Sequence, residues 1–297
     1  MIYIRRLSKM KLINIKFICS VLFVFSFGLL QSQEIDPAYV DSLKSESRAR
    51  FNVNNPKETF DLLATLEAYS IKNNYPKGLF MSYGDKGIFY LFMGSMDSAR
   101  LNFEKALKIA EENNFEKSTA KVKSNLGVLE DQVGNINEAI KWYLASIKVS
   151  EQLNDSIQAG RTYGNLAQVY SRIGDIELKE FYIKKGIEIL PENTRDKGIL
   201  MVDLADLYRN KENYPGLLEA VKKAEAINTL VKSNKLSFLI NRLFGQYYLK
   251  SEQYKTALDY FEKAHTQIED QTYYYIIEMN HYLARCYLEE ADIKNDE

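Results

Sequence analysis

The chain has 297 residues, a net charge of −1 and 46% apolar residues, which excludes a disordered polypeptide and leaves room for one large domain or two small ones. Only 5 prolines and 14 glycines punctuate it, so long helices are easily accommodated, and 21 tyrosines with 15 phenylalanines build a core from rings as well as aliphatic chains. Mild acidity without a long basic block speaks against a nucleic-acid surface.

The first element is a leader. Residues 1–33 carry Arg5, Arg6, Lys9, Lys11 and Lys16 without a single acid, followed by the apolar run Phe17–Leu30. This is the layout of a secretory signal peptide. The run is about 14 residues, short of the roughly 20 that span a bilayer, so it predicts a cleaved leader and no stable membrane span. Cleavage is expected near Ser32-Gln33, and translation starts at Met1 or Met10. Removing the five cations shifts the net charge from −1 to −6, and the leader predicts an exported, periplasmic protein. Cys19 leaves with the leader. Cys286 is then alone, without an internal disulfide, at a spacing that suits a packed core thiol.

Residues 34–76 read as two degenerate capping helices, and residues 77–297 as an array. The array is visible as a ladder of small residues, each following a large one: Gly87, Gly127, Ala167, Ala205, Gly245 and Ala284, separated by 40, 40, 38, 40 and 39 residues. Around each rung the apolar residues recur three and four apart, the period of a helix and not of a strand. The second unit is the clearest. Gly127 lies mid-helix, Gly134 ends that helix, and Ala139, Tyr143 and Ser146 line the next one. The first and fifth units repeat this with Ala99, Phe103 and Ala106, and with Ala257, Phe261 and Ala264. A mid-helix glycine costs about 1 kcal/mol relative to alanine. Close packing of the second helix against the first, with the ring filling the space beside the glycine, offsets that cost. Lys179 and Leu217 stand where a small residue is usual, Lys123 and Lys197 or their neighbours replace the early aromatic, and the third and fourth units are expected to pack least well.

These landmarks resemble the tetratricopeptide repeat (TPR). The resemblance implies an all-α, right-handed superhelical solenoid of antiparallel helix pairs, with a period of about 40 residues, five full repeats and the first helix of a sixth. A period above the usual 34, together with a leader, is similar to the exported sensor and scaffold regions of Bacteroidetes-type envelope and membrane-regulator proteins. That resemblance implies a protein or peptide interaction module, the sensing or adaptor part of an envelope signalling system, with a membrane-bound partner or an output domain downstream. A periplasmic scaffold for envelope assembly, with no ligand in its groove, is the alternative.

In such arrays the first helix of each pair lines the inner surface, and the resemblance places inner positions at −6, −3, +1, +4 and +5 from each rung. The first unit's set, Met81 to Phe92, is wholly apolar. The later sets supply the candidate ligand-binding residues Lys121, Arg161, Gln168, Arg172, Arg209, Arg242, Gln246, Lys250, His281 and Arg285. Seven of the inner residues are basic, against the four acids Asp131, Asp206, Glu278 and Glu289, in a mature chain that is net acidic. That inversion predicts an extended, carboxylate-bearing peptide partner, because arginine grips carboxylates in bidentate fashion. Catalysis is not expected. His265 and His281 are the only histidines, neither has ligands at metal spacing, and no strand precedes a phosphate loop, so no cofactor and no metal site are anticipated.

Overall fold

The computed structural model describes residues 35–267 and 273–296. The leader, its cleavage site and Cys19 lie outside the described residues. The described chain is all helix in its regular structure: α1 (Pro37–Ala49), α2 (Lys57–Lys72), α3 (Pro76–Phe92), α4 (Met96–Glu112), α5 (Glu116–Gln132), α6 (Ile136–Gln152), α7 (Ser156–Ile173), α8 (Ile176–Ile189), α9 (Arg195–Asn210), α10 (Tyr214–Val231), α11 (Asn234–Lys250), α12 (Tyr254–Thr266) and α13 (Tyr273–Asp296). It divides into two compact units between Lys86 and Gly87, within α3.

The first unit packs α1 on α2 and on the start of α3 around Val40, Leu43, Leu63 and Leu66, all buried. Arg48 of α1 holds the buried carboxylate of Asp85, and Ser82 Oγ donates to the Leu63 carbonyl at 2.9 Å.

The second unit is the helix-pair solenoid. Its pairs α5–α6, α7–α8, α9–α10 and α11–α12 pack most extensively, and the second helix of each pair also touches the first helix of the next. First helices additionally touch one another, α5 with α7, α7 with α9 and α9 with α11. Turn chemistry sets this period. Gly94, Gly134 and Gly174 take a left-handed φ at the turn inside three pairs, and Asn114 and Asn154 do so at the turns between pairs. Asp155, Asp175, Thr194, Asn213 and Ser233 accept backbone N–H bonds as N-caps of α7 to α11.

Gly127 is where the two helices of a pair cross. A Cβ there would lie 2.6 Å from two ring carbons of Tyr143, which is 1% exposed, and Gly87 meets Phe103 and Gly245 meets Phe261 in the same way. The third and fourth units do not pack poorly. They supply most of the largest core cluster, including Ala167, Ile183, Leu200, Leu217, Val221 and Ile227. Lys179 avoids the interface by reaching Ser171 Oγ at 3.1 Å, and Leu217 is fully buried in it. Lys197 is buried but satisfied, donating to the Leu190 carbonyl at 3.1 Å and to Glu192 at 2.7 Å.

Candidate functional site

The first helices α5, α7, α9, α11 and α13 lie side by side, so a residue on one faces a residue 35–41 positions further on along its neighbour. The result is a ladder of polar contacts. Arg172 of α7 pairs with Asp131 of α5. Arg161 of α7 pairs with Asp196 of α9 at 2.7 Å, and Gln168 donates to Asp203 of α9 at 3.1 Å. Arg242 of α11 lies 2.9 Å from Asp206 of α9 and 3.2 Å from Glu278 of α13. Gln246 donates to the Tyr282 hydroxyl at 2.9 Å.

The basic residues expected to await a ligand are therefore largely engaged. Arg209 also sits 3.2 Å from Asp206, and Arg285 lies 3.9 Å from Glu289 on its own helix. Gln246 is buried, whereas Lys121, Lys250 and His281 are exposed on α5, α11 and α13. Burial works against the charge on Arg242, and Asp206 and Glu278 more than offset it, raising its pKa. The ladder is incompletely satisfied. Asp131 Oδ1, Asp206 Oδ1, Arg209 Nε, Arg242 Nε, Gln246 Oε1 and Glu278 Oε2 are buried without a hydrogen-bond partner among the described residues. The 3.2 Å approach of Arg209 to Asp206 Oδ1 is an ion contact without hydrogen-bond geometry.

One cavity of about 410 Å³ opens on this face, lined only by α7, α9, α11 and α13. Of the expected ligand-binding residues it gathers Arg161, Gln168 and Arg242. The rest of that set lies outside it. Ile199, Val202, Leu239 and Tyr275 form its apolar wall, and Asn165, Asp203 and Lys235 were not anticipated from the sequence. Asn165 and Asp203 both stand two residues before a rung of the ladder, a position outside the inner set. Asp196, Lys235 and Tyr275 stand nine or ten residues before one, on the extra turn that a longer repeat adds. Burial, then the charge of Asp206, pushes the Asp203 carboxyl up to about 6, against the opposing pull of Lys179, the Gln168 hydrogen bond and Arg242. Among the described residues no group of three or more His, Cys, Asp or Glu could hold a metal ion, and no helix is long and apolar enough to cross a membrane.

Two tetratricopeptide-repeat family models match, over residues 82–113 and 118–192. This is a TPR-like repeat fold. The TPR-like solenoid is similar to solved structures from distant sources. One is BtubC from P. vanneervenii, with 16% identity, a TM-score of 0.57 and coverage of 77% of this chain and 90% of that one. Another is pilF of Pseudomonas aeruginosa, with 15% identity, a TM-score of 0.55 and coverage of 82% and 96%. A third is a signal transduction ATPase with a tetratricopeptide repeat sensor from Pyrococcus horikoshii, with 16% identity and a TM-score of 0.56. There the match spans 88% of this chain and 42% of that one. At these identities the likeness concerns the TPR fold alone. No curated protein matches the chain in sequence.

Proposed function

We propose that this TPR array is a protein-interaction module that holds an extended segment of a partner along the inner face of α7, α9 and α11, as the sensing or adaptor part of an exported envelope system. The observation that carries the reading is the cavity of about 410 Å³, which draws one wall from each of four successive first helices and combines an apolar wall with buried polar groups. The cationic and apolar leader supports export, and the tetratricopeptide repeat sensor of the Pyrococcus horikoshii ATPase supports sensing by an array of this shape. A membrane-bound partner or an output domain would then carry the signal onward. The carboxylate-bearing partner expected from the sequence loses its support, because Arg161, Arg172, Arg209, Arg242 and Arg285 each already sit on a carboxylate.

That same pairing favours a second reading, a periplasmic scaffold whose inner face serves its own rigidity. Site-specific photo-crosslinking separates the two. A benzophenone side chain replaces Ile199 on the cavity wall, or Leu144, which is exposed on α6, and the full chain is exposed to an envelope extract. Groove binding yields defined adducts from position 199 and none from 144. Adducts from 144 alone would favour the scaffold. N-terminal sequencing of the mature protein tests export, with a start near Gln33 as the expected result.

A further inference from the structure

The charges around the cavity are balanced in number but not all paired. Arg161 is matched by Asp196, and Arg242 with Arg209 is matched by Asp206 and Glu278. Asp203 is different. Its one hydrogen bond among the described residues comes from the neutral amide of Gln168, and no cation forms an ion pair with it. Lys235, on the first turn of α11, is exposed and likewise forms no ion pair among the described residues. A half-buried carboxylate beside a second one, Asp206, and facing an apolar wall is a costly arrangement unless something compensates it.

A long cationic side chain supplies both things this cavity lacks. Its hydrocarbon stem covers apolar surface while its head meets the carboxylate. A carboxylate would be repelled by Asp203 and Asp206, and a purely apolar side chain would bury Asp203 without a counter-charge. We propose that the cavity seats one lysine or arginine side chain of the bound polypeptide, its stem along Ile199, Val202 and Leu239 and its head on Asp203. Asn165, which lines the same cavity and has no hydrogen bond among the described residues, is placed to bind the adjoining backbone. The inference rests on the groove-binding reading and specifies which chemistry that groove accepts.

The pH dependence follows. Asp203 faces Lys179 from α8, Gln168 from α7 and Arg242 from α11, with Asp206 on its own helix, and it titrates near 6. A cation seated on it requires the ionised form, so affinity for a basic peptide rises between pH 5 and pH 7.

The test is selection from a phage-displayed library of random dodecapeptides against the full chain at pH 7.5, repeated with Asp203→Asn. This substitution keeps an acceptor for Gln168 and removes only the charge. The expected result is a fixed lysine or arginine in the peptides selected by the parent chain. Replacing that residue by norleucine, or Asp203 by Asn, should each weaken binding about tenfold or more, and the two together no further than either alone. Lys235→Ala should strengthen the basic peptide. Selected peptides with an acidic or apolar residue at that position, or a lysine whose loss costs the same on both chains, would overturn the inference while leaving groove binding intact. If no peptide is selected, groove binding fails and the inference fails with it. If Asp203→Asn does not fold, the norleucine series and the pH profile on the parent chain decide alone.

Discussion

Arg242 was expected from its position to be a ligand contact, and the structure makes it a strut. Its guanidinium spans α9 and α13 through Asp206 at 2.9 Å and Glu278 at 3.2 Å, with side-chain exposures of 11% for Arg242, 25% for Asp206 and 15% for Glu278. Replacing it by alanine leaves Glu278 without a counter-charge, while Asp206 keeps Arg209 at 3.2 Å. Breaking a fully buried ion pair by removing one partner costs about 3–5 kcal/mol, and an exposed pair contributes about 1 or less. With one carboxylate stranded, one still held and all three groups mostly buried, Arg242→Ala should destabilise the fold by about 2–3 kcal/mol. Solenoids are close to a sum of neighbouring repeats, so the loss should be local. Urea unfolding should begin at a lower concentration, and hydrogen exchange should speed up in α11 and α13 before α5 and α6. Adding Glu278→Gln should recover part of the loss. An Arg242→Ala protein with unchanged unfolding and exchange, but with lost partner binding, would rule out the strut and return this arginine to the ligand.

Other substitutions probe the elements that build the array. Gly127→Ala gains helix propensity of about 1 kcal/mol but drives a methyl to 2.6 Å from the buried Tyr143 ring, so a net loss of about 1–2 kcal/mol should appear in chemical denaturation. Glu252 takes φ 58° at the turn position that Gly94, Gly134 and Gly174 fill in the first three pairs. Glu252→Gly should therefore raise stability by about 0.5–1 kcal/mol, measured as a higher urea midpoint. For Asp203 the folded pKa is raised, so between roughly pH 4 and 6 the native state holds a proton that the unfolded chain has lost. Its contribution to stability falls as pH rises through that window. Asp203→Asn should remove this slope and be the more stable protein above pH 6, by up to about 2 kcal/mol. Cys286 carries a thiol buried at 0% exposure among Phe261, Ala264 and Met279. A thiol reagent should label it only as fast as the α12–α13 interface opens, and urea should accelerate the labelling.

The repeat was legible because its determinants are local. A small residue every 38–40 positions, a ring on the following helix and a glycine at the turn are each read within one unit, and each performs the packing expected of it at Gly127 and Tyr143. The departures at Lys179 and Lys197 misled because a lysine at an interface position can turn its head to a nearby hydroxyl or carbonyl, as these two do. The inner face was legible as a surface but not as an electrostatic system. Counting seven bases against four acids treats each unit separately, whereas the pairing runs between units, Arg161 to Asp196 and Arg242 to Asp206 and Glu278, at separations of 35 and 36 residues. Those separations are about one helical turn less than the repeat period, so a charge alternation at that spacing was the signal available in the sequence. Tyr275 escaped because it stands on the added turn of a longer helix, which extends the groove wall, whereas Asn165 and Asp203 stand two residues before a rung, a position outside the inner set of the shorter repeat.

In the proposed function, a partner polypeptide lies against the inner wall of α7, α9 and α11. Methyl-labelled full-length protein, titrated with a peptide selected at neutral pH, tests it most directly. The Ile199, Val202 and Leu239 methyl resonances should shift, while those of Leu144 and Leu230 on the second helices stay in place. Shifts confined to Leu144 and Leu230, with the cavity wall unmoved, would contradict it.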